Sequence, residues 1–253
     1  MIHLDPLPGS PGFRSMDAVI TKALEDASTL ADAGFPALMV ENFGDAPFFA
    51  DSVPSETVAA MTRCVHALIA GTGLPVGVNV LRNDALSAMG IAAATGAPLI
   101  RVNVLSGVMY TDQGPIVGKS AELLRKRAEL GASTEIWADV LVKHATPPPG
   151  ADIRQIAVDT LERAGADAVI VTGRGTGSSP EIDHLKTVRE AIGPGTRLVV
   201  GSGANPTNVA DLAAIANTLI VGSATKRDGS PTNPVDPKRA DQIAHAAARA
   251  GLI

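Results

Sequence analysis

Two short segments near the end of the chain have the composition of an anion-binding site. Residues 198–203 (LVVGSG) and 219–223 (LIVGS) each pass from an apolar run into small residues. Small residues let an anion approach backbone N–H groups, and a short helix start adds partial positive charge. In a barrel of eight β/α units, the loops after the last two strands frequently hold phosphate in this way. The pattern predicts a phosphate site, and ordinary strand-to-helix turns are the simpler alternative.

Polar residues that interrupt apolar runs, or follow them directly, supply a second set of candidates. Asn79 lies in VGVNV, Arg101 and Asn103 lie in LIRVNV, and Asp139 lies in IWADV. Other polar residues at the ends of such runs are His3, Asp5, Glu41, Asn42, Asp45, Arg82, Asn83, Lys143 and His144. Burying an unpartnered charge or amide is costly, so these side chains should pair with a ligand or with one another. An internal pair of Arg101 with Asp139 or Glu41 is the structural alternative.

Eight short runs rich in Val and Ile, each too brief for a buried helix, must position these residues. They cover residues 1–4, 37–40, 76–80, 99–104, 136–140, 168–172, 198–200 and 219–221. Helical patterns lie between them, and most end at a glycine with the signature of a helix C-cap: Gly34, Gly73, Gly96, Gly131, Gly165 and Gly195. Every gap is long enough for a crossover helix, and no Asn-Gly hairpin signal occurs. The sequence predicts one (β/α)8 barrel domain over residues 1–253.

The composition limits the partners and the setting. The formal net charge is −5 without a basic run, which argues against nucleic acid as a main partner. The single cysteine, Cys64, lies in an apolar helical stretch and is predicted to be a core thiol in a reducing cytoplasm. No secretory signal opens the chain and no apolar run reaches the ~18 residues of a membrane span. A soluble cytoplasmic protein is expected.

Long motifs in the chain resemble those of the BtpA family. They extend from His3 to Gly229 and read HLDPLPGSPGF, VENFGDAPF, GVNVLRNDA, IRVNVLSG, TDQG, WADVLVKHA, VIVTGRGTG, VGSGANPTN and VGSATKRDG. The resemblance implies a TIM barrel related to the ribulose-phosphate-binding barrels. It also implies two kinds of role, because the namesake is a cyanobacterial protein linked to photosystem I biogenesis, whereas other members lie in bacterial and archaeal sugar or nucleoside operons.

The leading hypothesis is an enzyme acting on a phosphorylated sugar or a nucleoside-like glycosyl substrate. Glu41 and Asp139 are carboxylates on different strands, suited to act as general base and acid in a lyase, an isomerase or a glycosyl-bond-cleaving enzyme. Other polar residues at the carboxyl-end mouth of the barrel are expected to bind sugar hydroxyls or stabilise a developing oxyanion. They are His3, Asn79, Arg101, Asn103, Asp112, Gln113 and Thr172. The anionic end of the substrate is expected to bind at the phosphate-binding residues Gly173, Gly175, Ser202, Gly203, Gly222 and Ser223.

Several alternatives stay open at this point. Lys143 could form a Schiff base with a carbonyl substrate. His3, Glu41, Asp139 and His144 carry the atoms of a divalent metal site, although the leading hypothesis requires no cofactor. The barrel could also be a non-catalytic assembly or stability factor, or a prenyltransferase acting on a glycerol phosphate. The expected partner is a small anionic molecule, and barrels of this kind often form homodimers.

Two loop segments complete the hypothesis. Residues 111–114 (TDQG) are predicted to belong to a mobile lid that brings Asp112 or Gln113 to the site, with plain turn glycines as the alternative. Lys226, Arg227 and Asp228 are expected either to help bind the phosphate or to form a solvated charge cluster.

Overall fold

Eight parallel strands curl into a barrel in the computed structural model, which describes residues 1–173, 175, 177 and 179–253. The hydrogen-bonded order is β1 (Ile2–His3), β2 (Leu38–Glu41), β3 (Val76–Asn79), β4 (Leu99–Val102), β7 (Glu135–Val140), β8 (Ala168–Val171), β9 (Arg197–Val200) and β10 (Thr218–Leu219), while β5 and β6 form a separate hairpin. The backbone nitrogen of Met1 donates to the carbonyl of Val221 at 2.7 Å and joins the first strand to the last. The predicted fold class is confirmed.

Helices connect the barrel strands and pack on the outside. They are α1 (Met16–Asp32), α2 (Ser55–Thr72), α3 (Ala85–Thr95), α4 (Ser120–Glu129), α5 (Ile153–Glu162), α6 (Ile182–Ile192), α7 (Val209–Ala213) and α8 (Pro237–Arg249). Side-chain oxygens of Ser15, Asp84, Asp152 and Asp236 accept N–H groups of the first turn of four of them, which satisfies donors that a helix start leaves free. No helix of the described residues is long and apolar enough to cross a membrane.

The barrel interior has an apolar layer and, one step nearer the carboxyl ends, a polar layer. Alternate residues of a strand point to the same side, so Met39 lies below Glu41 and Trp137 below Asp139. Met39 and Trp137 belong to one buried cluster with Met1, Ala168, Ile170, Val199 and Ile220. In the polar layer, His3 is in register with Glu41, Glu41 with Asn79, and Asn79 with Arg101. The apolar layer therefore lies directly beneath the layer of polar side chains at the carboxyl ends of the strands.

The segment predicted to be a mobile lid is an ordered hairpin. β5 (Val108–Thr111) and β6 (Gly114–Val117) pair antiparallel around Asp112 and Gln113. Gly114 has a φ of 99°, which is the left-handed backbone that such a tight turn needs directly after its tip. The absence of an Asn-Gly pair was therefore misleading, because Asp-Gln-Gly closes this hairpin instead.

The hairpin is tied to the loop that follows β7. Tyr110 and Thr146 exchange two backbone hydrogen bonds, of 2.9 and 2.8 Å. Beneath them, Met109 and Ile116 of the hairpin pack in one buried cluster with Val104 and Val142. The hairpin and this loop therefore cover the mouth as one packed unit.

Some predicted helix ends are displaced. The C-cap of α6 is Gly193, with a φ of 74°, and not Gly195 as the pattern suggested. The sequence between α6 and β9 contains both glycines, and only Gly193 adopts the positive φ that a side chain disfavours. The predicted glycines Gly34, Gly73, Gly96, Gly131 and Gly165 do have positive φ values. Gly73 and Gly96 are C-caps, whereas α1, α4 and α5 have their C-caps one or two residues before the glycine, at Ala33, Leu130 and Arg163.

Candidate active site

Two cavities lie side by side at the carboxyl ends of the strands and share Glu41, Arg101 and Lys143. The first, of about 220 Å³, is also lined by Met1, His3, Gly177, Gly201, Ser202, Gly203, Ala204, Asn205, Ile220, Gly222, Ser223, Ala224 and Gly229. The second, of about 580 Å³, is also lined by Phe43, Ala46, Phe48, Asn79, Leu81, Arg82, Asn103, Asp112 and His144. The three shared side chains stand at the boundary, so one ligand can contact both cavities through them.

Asp139 forms a buried ion pair with Arg101 between the strands. The Nε of Arg101 donates to Oδ2 of Asp139 at 3.0 Å, and its Nη2 donates to Oδ1 at 2.9 Å. The Nδ2 of Asn103 adds a third bond to Oδ2, at 2.8 Å. Both charged side chains are almost fully buried, a situation in which charges need such complete pairing. The internal pair that the sequence offered as the structural alternative is present.

Asn79 continues this network and keeps one acceptor open. Its Nδ2 donates to the Arg101 carbonyl at 3.1 Å and to Oδ1 of Asn103 at 3.3 Å. Because the Asp139 carboxylate can only accept here, it fixes the amide orientation of Asn103, and Asn103 in turn fixes that of Asn79. The Oδ1 of Asn79 is buried and has no hydrogen-bond partner among the described residues. Asn79 lines the second cavity, so a ligand hydroxyl or amine that reached this oxygen would satisfy it.

His3 and Glu41 form a second buried pair. The Nδ1 of His3 lies 2.9 Å from the Pro231 carbonyl, to which it must donate, and its Nε2 lies 3.3 Å from Oε1 of Glu41. A proton is therefore needed between Nε2 and Oε1. Burial lowers the pKa of the His3 imidazole, while the hydrogen bond and the charge of Glu41 act to raise it. Burial alone would raise the pKa of Glu41, but the hydrogen bond from His3 and the charges of His3, Lys143 and Arg101 lower it to about 2. Glu41 is an ionised carboxylate at neutral pH.

Lys143 is a cation without a partner. Its side chain makes no hydrogen bond or ion pair with any described residue, although it lines both cavities. Burial lowers the pKa of its amine, and the positive charges of Arg101 and Arg82 act in the same direction. The neighbouring residues Leu141 and His144 have φ values of 53° and 56°, a strained conformation that clusters at functional sites. The loop therefore presents an amine that is easier to deprotonate than an ordinary lysine.

The glycine segments build a cradle of free amides in the first cavity. Gly203 and Ala204 follow β9, and Gly222, Ser223 and Ala224 follow β10. In the described part of the chain, the N–H groups of these five residues donate no hydrogen bond. Free amides clustered around a concave surface suit a phosphate or carboxylate. A Cβ on Gly222 would come within 3.2 Å of the His3 ring, so this loop also needs a glycine to lie beside the His3 and Glu41 pair.

The predicted residues do not all reach these cavities. Thr172 accepts the Lys143 N–H at 3.0 Å and lines a separate cavity with Gly173. Gly175 and Gln113 line neither mouth cavity. The glycine of the TGRGTG turn that does line the first cavity is Gly177, while Arg174 and Thr176 of that turn lie outside the described residues. The other predicted residues line one or both cavities: His3, Glu41, Asn79, Arg101, Asn103, Asp112, Lys143, Ser202, Gly203, Gly222 and Ser223. Asp139, predicted to be catalytic, lines neither of them and lines a neighbouring cavity instead.

Arg82 is the main residue that the sequence reasoning left without a role. It is 6 % exposed and lines the second cavity. Its position directly after the β3 end in GVNVLRNDA was visible in the sequence. The sequence could not show, however, that no carboxylate would pair with it.

Three further predictions concern a metal site, Cys64 and Lys226. No three His, Cys, Asp or Glu side chains among the described residues converge to hold a metal ion, so the alternative set of His3, Glu41, Asp139 and His144 does not assemble. Cys64 is a buried core thiol, and burial raises its pKa to about 11. Lys226 is neither a phosphate ligand nor solvated, because it is fully buried in an ion pair with Asp26 at 2.5 Å.

The closed parallel barrel with its polar mouth places the chain among the TIM barrels. It is similar to the solved structure of orotidine 5′-phosphate decarboxylase from Pyrococcus horikoshii, with a TM-score of 0.58, 17% identity, and coverage of 90% of this chain and 94% of that chain. Phosphoribosyl anthranilate isomerase from Thermus thermophilus matches with a TM-score of 0.57, 12% identity, and coverage of 89% and 94%. These likenesses concern the fold.

The chain belongs to the BtpA family, whose pattern matches residues 1–249. Among its relatives is the photosystem I biogenesis protein BtpA of Synechocystis sp., which is 45% identical over 249 residues. That alignment covers 98% of this chain and 86% of the relative. The family membership inferred from the motifs is confirmed.

Asp139→Asn is expected to lower the free energy of unfolding by about 3–5 kcal/mol, because it leaves the buried Arg101 without its counter-charge. Urea unfolding measures the change, with Asp241→Asn on the exposed face of α8 as the matched control. A loss no larger than that of the control would contradict the structural role of the pair.

Glu41→Gln is expected to remove about 3 kcal/mol of stability at neutral pH, because folding lowers the pKa of Glu41 from 4.5 to about 2. This stability is present above the unfolded-state pKa and is lost as the pH falls through the folded-state pKa. The stability difference between wild type and variant should therefore shrink steadily as the pH falls from about 4.5 to about 2. Urea unfolding across this range tests the point, and a gap that does not change with pH would contradict it.

Proposed function

We propose that the chain is an enzyme that acts on a phosphorylated sugar or a nucleoside-like glycosyl compound by proton transfer at the mouth of the barrel. One observation carries the proposal: the first cavity combines five free amide groups with Glu41 and Lys143. The amides would hold the phosphate, and the two side chains would face the carbon skeleton attached to it. Binding energy gained at the phosphate would then serve to orient the reacting centre.

The fold class supports an anionic substrate. The two solved barrels named above refer to orotidine 5′-phosphate and to a phosphoribosyl compound in their names. The loops after the last two strands are a frequent phosphate site of (β/α)8 barrels, and here they are the loops after β9 and β10. The local chemistry of the free amides and the general property of the fold therefore indicate the same class of ligand.

Glu41 and Lys143 divide the proton transfer between them in this proposal. Oε1 of Glu41 faces the His3 ring, while no hydrogen bond with a described residue occupies Oε2, so Oε2 is the acceptor for a substrate proton. The hydrogen bond from His3 stabilises the charge of Glu41 on the side away from the substrate. Lys143, whose lowered pKa eases proton release, would donate to the developing oxyanion or leaving group.

Asp139 has a different part in this scheme from the one first considered. Three hydrogen bonds from Arg101 and Asn103 occupy its two oxygens, which leaves little capacity to exchange a proton with a substrate. Its carboxylate orients Arg101 instead, and Arg101 faces both cavities. We therefore assign Asp139 to positioning.

Ser223→Asp is expected to weaken the binding of inorganic phosphate and ribose 5-phosphate at least about tenfold, because it adds a negative charge beside the amide cradle. Ser223→Asn has nearly the same shape without the charge and serves as the matched control. Isothermal titration calorimetry with both variants and the wild type measures the effect. Equal losses in the two variants would indicate a steric effect and contradict the phosphate site.

Lys143→Met is expected to lower turnover about 10²–10⁴-fold while phosphate still binds. Turnover is followed by proton NMR in D₂O on a panel of sugar phosphates and nucleoside phosphates, since the spectra report isomerisation, bond cleavage and deuterium incorporation together. Lys186→Met, at an exposed position of α6, is the matched control. Borohydride treatment of the active mixture distinguishes acid–base chemistry from a Schiff base, because only an imine gives a reduced adduct on Lys143.

A non-catalytic assembly or stability factor is the second candidate, favoured by the name of the Synechocystis relative. It predicts no conversion of any compound in the panel. In that case the wild type, Lys143→Met and Lys186→Met would all show no turnover.

A further inference from the structure

The second cavity contains a buried positive charge without a counter-charge. Arg82 is 6 % exposed, and no carboxylate of the described residues lies within ion-pair distance of it. Among the described residues, its guanidinium makes one hydrogen bond, from Nη2 to the Lys143 carbonyl at 2.8 Å. A guanidinium carries five N–H donors and stays charged in proteins, so most of its donors face the cavity unused.

Each other charge around this cavity is already compensated or exposed. Arg101 is neutralised by Asp139, and Glu41 is paired with His3. Asp112 at the hairpin tip is exposed and bonded by the Gln113 amide. Arg82 and Lys143 make no ion pair with a described residue, although the charge of Glu41 acts on Lys143 and the charges of Asp139 and Asp112 act on Arg82. A bound anion would give these two buried cations a direct partner.

A residue that lines the same cavity has an unused acceptor. The Oδ1 of Asn79 is buried without a partner among the described residues, and the network that ends at Asp139 fixes it as an acceptor. A hydrogen-bond donor on the ligand, such as a hydroxyl group, would therefore satisfy this oxygen. A group with a negative charge and an adjacent hydroxyl satisfies both Arg82 and Asn79, which is the pattern of a hydroxycarboxylate.

We propose that Arg82 forms a second anion subsite, and that the substrate is a phosphorylated hydroxy acid whose carboxylate lies in the second cavity while its phosphate lies in the amide cradle. The carboxylate can pair with the planar guanidinium through two parallel hydrogen bonds. A hydroxyl beside it would donate to Asn79, and the central carbons would pass Glu41 and Lys143, which line both cavities. This inference rests on the proposed phosphate site and narrows its substrate class.

The test compares matched ligands that differ only at the end opposite the phosphate. The probes are sugar-acid phosphates of three to six carbons, from 3-phosphoglycerate to 6-phosphogluconate, and the alditol phosphates of the same length, from glycerol 3-phosphate to sorbitol 6-phosphate. Calorimetry on the wild type should show that at least one acid binds about tenfold tighter than its alditol. Arg82→Gln should abolish that preference and leave alditol binding unchanged.

Two further variants separate a local contact from a general effect. Arg82→Lys keeps the charge without the planar fork and should retain part of the preference. Arg14→Gln removes an exposed charge from the loop after β1 and should retain all of it. Melting temperatures of all variants establish that each one is folded.

Different results would contradict the second anion subsite and the phosphate site. Equal binding of acid and alditol in all pairs, or a preference that persists in folded Arg82→Gln, would overturn the second subsite while the phosphate site stands. Failure of every probe to bind would overturn the phosphate site, and this inference with it.

Discussion

The ion pair between Arg101 and Asp139 is the constraint on which the mouth of the barrel depends. Both charges are buried, and charges in that position are tolerated only when their hydrogen-bonding capacity is used. Asn103 and Asn79 complete that requirement and extend the network across β3, β4 and β7. This network forms a rigid polar floor. Three charged groups, Glu41, Lys143 and Arg82, lie outside this network and line the cavities.

Much of the fold follows from short-range patterns. A barrel strand is buried on both sides, so it reads as a brief run of Val and Ile, and the glycine turns between helix and strand recur along the chain. The polar layer could also be predicted, because residues such as Asn79 and Asp139 interrupt runs that burial would otherwise keep apolar. The common end at which those side chains meet is a property of any parallel barrel.

The parts that sequence reasoning missed depend on contacts between distant residues. Whether Lys226 is a ligand or a core residue is decided by Asp26, 200 positions away. The role of Asp139 is decided by how many donors reach it, and that of Arg82 by the absence of any carboxylate within reach among the described residues. The hairpin at residues 108–117 was missed for a local reason, since its turn uses an uncommon residue pair. The role of such a residue therefore depends on contacts with distant residues, which the sequence pattern does not reveal.

The position of the amide cradle has a consequence for how the barrel holds its shape. β1 and β10 are only two residues long, and the Met1 nitrogen donates to the Val221 carbonyl across the seam between them. The first cavity lies over this seam, with Met1 and His3 on one side and Gly222 on the other. An anion bound in the proposed site would contact both the start and the end of the barrel. Its binding and the closure of the circular sheet would then be thermodynamically coupled, so that each favours the other.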